Sequence, residues 1–164
     1  MKRLIFIAAG KPTFDAALGK ARPSDQGLTK EGRRQVKKTL EYLKPPEWLI
    51  TSNEPDTRES ARIMLGEEFA RKALFLPELS IDFTLPNDRP IALWRLFQED
   101  HLRSCQKPVA VLVRSGLINQ MVKQFCVNYR NFQRIKDLMD RTFFDFGSAV
   151  CIDLGARPRV TLYN

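Results

Sequence analysis

Apolar residues are arranged along this chain in two ways. Some form short unbroken runs: Leu4-Ile5-Phe6-Ile7-Ala8-Ala9, Trp48-Leu49-Ile50 and Val109-Ala110-Val111-Leu112-Val113. Such runs are apolar on both faces, as in strands at the centre of a parallel sheet covered on both sides. Between them the apolar positions recur every three or four residues. Val36, Leu40 and Leu43 share one helical face, with Thr29 as N-cap, Glu31 in the first turn and Pro45-Pro46 as the stop. Pro55 opens a second helix that runs to Leu65 and ends near Gly66. A short helical piece over 67–72 leads into a short strand over 73–75. Residues 90–103 read as one helix carrying Ile91, Trp94, Leu96 and Phe97 on its apolar face. The helix after Arg114-Ser115-Gly116 carries Ile118, Met121, Val122 and Phe125, and 131–141 is also helical. At the end, 148–153 and 159–163 alternate apolar and polar around Leu154-Gly155 and Pro158, the pattern of an antiparallel hairpin. Strands alternating with helices predict an α/β fold. The expected architecture is a three-layer α/β/α sandwich with a mainly parallel sheet and a C-terminal antiparallel hairpin. The length of 164 residues fits one domain over 1–164.

Composition narrows the classes of partner. The net charge is +8, but Lys and Arg are dispersed, as in Arg33, Arg34, Lys37 and Lys38 and again in Arg130, Arg134 and Lys136. Dispersed cations are read as solvated helix faces, so nucleic acid is not the expected partner. Cys105, Cys126 and Cys151 are far apart and form no C-x-x-C or Cys/His pair, so neither a metal site nor a cofactor is expected. Cys126 and Cys151 sit in apolar company and are read as core residues. This cysteine usage fits a reducing, cytoplasmic setting. Met1-Lys2-Arg3 before an apolar run resembles the start of a signal peptide, but Lys11-Pro12 cuts the run off, and a first strand is the better reading. No apolar stretch is long enough to cross a membrane.

In an open α/β sheet, chemistry gathers at the carboxyl ends of the strands. Those corners here are Ala8-Ala9-Gly10-Lys11-Pro12, Ser52-Asn53-Glu54 and Arg114-Ser115-Gly116. Around them lies a recognisable framework. The stretch Asp25-Gln26-Gly27-Leu28-Thr29-Lys30-Glu31-Gly32-Arg33-Arg34-Gln35-Val36 has an Asp, then Leu-Thr, a glycine three residues after the Thr, and Gln-Val. Phe146-Gly147-Ser148 precedes the closing hairpin. In these pieces, and in their order and spacing, the chain resembles the histidine phosphatase superfamily, the phosphoglycerate-mutase-like fold. Its size is similar to that of the short phosphohistidine phosphatase branch.

The resemblance implies a site whose residues have changed. The family follows its first strand with Arg-His-Gly, the His being the nucleophile; the matching residues are Ala8-Ala9-Gly10. A second family Arg lies three residues before Gln-Thr-Ala; here Glu59-Ser60-Ala61 matches that triplet and Asp56 takes the Arg position. The family's Ser-His-Gly matches Arg114-Ser115-Gly116. Its acidic proton donor has no clear counterpart, although Glu78 and Asp82 are nearby in sequence. A methyl group has no lone pair, so Ala9 cannot accept a phosphoryl group. Positive charge is most of what a protein contributes to phosphoryl transfer. An Asp in place of Arg sets like charge against phosphate, worth on the order of 4 kcal/mol at about 4 Å and a dielectric of about 20.

Three functions follow as expectations. The first is a catalytically inactive histidine-phosphatase-like pseudoenzyme with a binding or regulatory role, its partner a protein or a small anionic ligand. The second is a phosphatase-like hydrolase with relocated residues, in which Lys11, Arg58, Arg114 and Ser115 form a displaced anion or ligand site. The third is a basic nucleic-acid-binding domain. Against the second stands the pairing of Arg58 with Asp56 or Glu54, with Lys11 and Arg114 in solvent. His101 is the only histidine; it reads as an exposed helix-end residue and not as a base for Ser115. Trp94, Phe97 and Phe125 read as core. Phe14, Phe83, Phe132, Phe143 and Phe144 lie in or near loops, where some would line the former active-site mouth or a partner surface.

Overall fold

The computed structural model describes residues 3–13, 27–80, 88–127, 133–154 and 159–163. Its first strand, β1 (Arg3–Ala8), is central in a six-stranded sheet. The others are β2 (Trp48–Thr51), β3 (Ala73–Phe75), β4 (Val109–Val113), β5 (Ala149–Asp153) and β6 (Arg159–Tyr163). The spatial order is β3-β2-β4-β1-β5-β6. Strands β1 to β4 are parallel, with Ile5 opposite Ala110 and Ile50 opposite Val111. The β5–β6 hairpin adds antiparallel strands, with Ile7 opposite Ala149 and Cys151 opposite Thr161. The long helices are α1 (Lys30–Tyr42), α2 (Pro55–Leu65), α4 (Asp88–Phe97), α6 (Ser115–Val127) and α7 (Gln133–Arg141). Single turns form α3 (Phe69–Lys72) and α5 (Asp100–Arg103).

The side-chain period of two divides each central strand between two cores. Leu4, Phe6 and Ala8 join Val109, Val111 and Val113 against Leu93, Phe97, Ile118, Met121, Val122 and Met139. Ile5, Ile7 and Ala9 join Ala110, Leu112 and Cys151 against Val36, Ala61, Met64 and Leu65. Thus α1 and α2 cover one face, and α4, α6 and α7 the other. This is the expected three-layer sandwich. Thr29 caps α1, its hydroxyl accepting the Gly32 N–H at 2.9 Å. Among the described residues no helix is long and apolar enough to cross a membrane.

The segment read as one helix over 90–103 is two, broken at Gln98-Glu99. Leu93 and Phe97 are buried one turn apart, and Leu102 is buried as well. Five residues at 3.6 per turn would swing Leu102 about 140° away from Phe97 on a continuous helix. The break returns it to the core. Phe144 is buried in that core and is not part of a loop surface. Phe143, beside it, is 84% exposed. Phe14, Phe83 and Phe132 lie outside the described residues, as do the side chains of Trp94, His101, Phe125 and Cys126.

Cys151 packs in the core, and Cys105 is buried where the chain enters β4. The Cys105 thiol donates to Glu47 Oε2 at 2.8 Å. Burial first, and then this bond to a carboxylate, push the thiol up to about 11. The same bond holds Glu47 below the ordinary carboxylate range. The neutral thiol therefore stabilises the fold fully below the unfolded-state value of about 8.5, and that contribution is lost as pH rises through about 11. Urea denaturation at pH 8 and at pH 10.5 is expected to show a loss of stability in the parent that Cys105→Ala does not share. An equal loss in both proteins would refute the assignment.

Candidate functional site

The carboxyl ends of β1, β4 and β2 lie side by side, so the loops after them share one edge of the sheet. Ala8 and Ala9 are fully enclosed there. Their backbone is held from three sides. Ala9 N–H donates to Val113 O at 2.8 Å, and Ala8 N–H to Ser148 O at 2.8 Å. Gly147 N–H is shared between the carbonyls of Ala8 and Ala9 at 3.1 and 3.3 Å. Gly147 has φ 79°, a conformation that glycine adopts without penalty. Beyond the strand, Gly10 N–H donates to Ser60 Oγ at 3.3 Å, and that hydroxyl donates to Asp56 O at 2.8 Å.

The framework stretch holds this corner in place. Lys11 O accepts the Thr29 N–H at 3.0 Å and its hydroxyl at 3.1 Å. Lys11 N–H donates to Gln35 Oε1 at 3.1 Å. Gly32 lets the loop touch the helix: a Cβ on it would lie 2.3 Å from Lys11 O. Thr29, Gly32 and Gln35 therefore all act on Lys11, two residues after Ala9. Glu59 does the same for the loop base, accepting Leu28 N–H at 2.7 Å and an ion pair from Arg33. Sequence reasoning quoted Gln35 and Glu59 in the motif but assigned them no task.

The charged residues are arranged differently from a phosphate cradle. Asp56 is in the first turn of α2, where a carboxylate is favoured by the helix dipole. Its side chain is 3% exposed. Arg114, just after β4, meets it with a two-pronged contact, Nε to Oδ2 at 2.9 Å and Nη2 to Oδ1 at 3.0 Å. Parallel double contacts of this kind are the strongest geometry for the pair. Arg114 Nη1 also lies 3.6 Å from Glu54 Oε1. Glu54 accepts hydroxyls from Ser52 at 2.9 Å and Ser80 at 3.3 Å. The carboxylate at the family's Arg position is thus neutralised internally, so it does not stand open to repel an anion.

The remaining candidates are separate. Lys11 Nζ pairs with Glu31 at 3.1 Å. Arg58 donates to Asn53 at 3.2 Å and lies 5.8 Å from the Phe75 ring centre. Neither lies in solvent alone, and the Arg58 guanidinium goes to Asn53 and not to Asp56 or Glu54; the Glu54 carbonyl accepts the Arg58 backbone N–H at 2.8 Å. Ser115 is half-buried at the start of α6. Glu78 is half-buried in the turn Pro77–Leu79, and Asp82 lies outside the described residues. Among the described residues no group of His, Cys, Asp and Glu is placed to hold a metal ion.

No family model and no curated protein matches the sequence. Solved structures match the fold along its whole length. A glucosyl-3-phosphoglycerate phosphatase, mycobacterial Rv2419c, aligns with TM-score 0.68 at 14% identity over 100% of this chain and 99% of its own. A phosphoserine phosphatase from Entamoeba histolytica aligns with TM-score 0.66 at 11% identity, over 100% and 98%. An Escherichia coli K-12 protein assigned as an alpha-ribazole-5'-P phosphatase aligns with TM-score 0.69 at 14% identity, over 99% and 96%. The likeness establishes the phosphoglycerate-mutase-like fold that these histidine phosphatase-like proteins have in common.

Proposed function

We propose that this chain is a non-catalytic, single-domain protein on the histidine phosphatase scaffold, a cytoplasmic pseudoenzyme that works by binding. The observation that carries this is the Asp56–Arg114 ion pair, on the same edge of the sheet as the enclosed methyl of Ala9. Ala9 offers no lone pair to phosphorus. The guanidinium that reaches the position of the family's second Arg already has both prongs on a buried carboxylate. Gathering phosphate there would require breaking that pair, which leaves Asp56 buried and uncompensated. The solved phosphatases of the same fold supply the contrast, because phosphate hydrolysis is the chemistry this corner is not equipped to perform.

The test is hydrolysis. The purified protein is expected to cleave p-nitrophenyl phosphate and a phosphohistidine peptide no faster than Ser115→Ala does, and to show no uptake of inorganic phosphate by calorimetry. Turnover well above the Ser115→Ala protein would overturn the proposal and favour a hydrolase with relocated residues.

A further inference from the structure

A groove of about 620 Å³ runs along the outer flank of α1, away from the Asp56–Arg114 pair. Its opposite wall is the turn at 145–148 that leads into β5. The turn is rigidly seated: Thr39 Oγ1 donates to Gly147 O at 2.6 Å, and Gly147 N–H is tied to the end of β1. Arg34, Lys37 and Lys38 project from α1 at the groove and are exposed. Tyr42, stacked on Tyr163 with ring centres 5.3 Å apart, and half-buried Phe146 add aromatic lining.

Charge is distributed unevenly around α1. On the corner side, Lys11 pairs with Glu31 and Arg33 with Glu59. Among the described residues no carboxylate pairs with Arg34, Lys37 or Lys38. Two acids do line the groove. Glu41 is exposed, and Asp145 Oδ1 accepts its neighbour Phe146's N–H at 2.7 Å. Cations still outnumber them, and the net charge of +8 adds a long-range attraction for anions.

Spacing identifies the occupant. Arg34, Lys38 and Tyr42 are successive i, i+4 positions, about 6 Å apart along the helix axis. Alternate side chains of an extended peptide are about 6.6–6.8 Å apart on one face. We propose that this groove docks an extended acidic segment of a partner protein. Two carboxylates at alternate positions meet Arg34 and Lys38, and an apolar side chain two residues further on rests against Tyr42 and Phe146. The groove borders the corner through Gln35, Gly147 and Ser148 but is lined by none of Ala8, Ala9, Gly10, Asp56 or Arg114. Phosphatase activity would therefore overturn the non-catalytic proposal and leave this one standing.

The experiment is a fluorescence anisotropy titration at low salt. The probe is a labelled heptapeptide with glutamate at positions two and four, phenylalanine at six and serine elsewhere. Saturable binding is expected, weakened by about tenfold or more in the double variant R34E/K38E and by a similar factor when the probe's glutamates are glutamines. The variant R95E/K107E, with the same change in net charge on other elements, is expected to bind within about threefold of the parent. Thermal melting is expected to show R34E/K38E folded; should it not be, R34Q/K38Q takes its place in the titration. The proposal is overturned by no saturation up to about 1 mM probe, by equal losses in the two charge variants, or by a glutamine probe that binds as well as the acidic one. A short oligothymidine that binds more tightly than the peptide, and loses that binding in R34E/K38E, would also overturn it in favour of nucleic acid.

Discussion

Replacing Arg114 by alanine is expected to destabilise the protein by about 3–5 kcal/mol, the largest effect of any single exposed-edge substitution considered for this fold. The reason is what remains behind. Asp56 is almost completely enclosed, and Arg114 supplies both of the side-chain contacts its carboxylate oxygens make. Without Arg114 that charge stays in a poorly solvated place, next to Glu54 and its own negative charge. Removing both charges in D56A/R114A is expected to cost less than R114A alone, because no orphaned ion is left. Arg114→Lys keeps the charge and loses the planar fork, so it should fall between parent and alanine. Urea denaturation gives these values directly. For a chain of this size the alanine variant should melt roughly 6–20 °C below the parent. A loss under about 1 kcal/mol would mean that the pair is a surface contact of ordinary weakness.

Gly32→Ala is expected to be nearly as damaging, at about 3 kcal/mol, although alanine is the better helix former by about 0.8–1.0 kcal/mol. Its Cβ would lie 2.3 Å from Lys11 O and 2.8 Å from Lys11 N. Both are backbone atoms, so no side-chain end can swing aside. Relief would have to come from moving the corner loop. That would strain the Thr29–Lys11 and Lys11–Gln35 hydrogen bonds that hold it. Gly116→Ala, in the first turn of α6, is the internal control. A Cβ there meets nothing within 4 Å, so the helix preference should act alone and leave stability unchanged or slightly raised. Equal denaturation midpoints for the two variants would show that the loop is not clamped to α1.

The two variants differ in how far each effect could be anticipated from the linear chain. The Thr29, Gly32 and Gln35 spacing is local, and it marked a framework before any contact was known. That Ala9 offers no nucleophile was equally legible, because a methyl group lacks a lone pair wherever it is folded. Apolar runs located β1, β2 and β4, and proline and glycine marked the helix ends, because these signals act within a few residues. The break in the helix read over 90–103 was not visible. It depends on Leu102 having a place in the core, which is a property of the surrounding layers.

The charge at the corner was the least accessible feature. From the sequence, Asp56 is either set against an anion or paired with nearby Arg58, and Arg114 is either part of an anion site or a solvated cation. Asp56 and Arg114 are 58 residues apart, and nothing in either segment announces the other. They meet because β4 inserts between β2 and β1, bringing the turn after β4 against the first turn of α2. The local pattern determined which elements form and that the first strand ends in two methyl groups with no nucleophile. Only the strand order decided that the substituted carboxylate is neutralised from within, because electrostatic partners are chosen by distance in space.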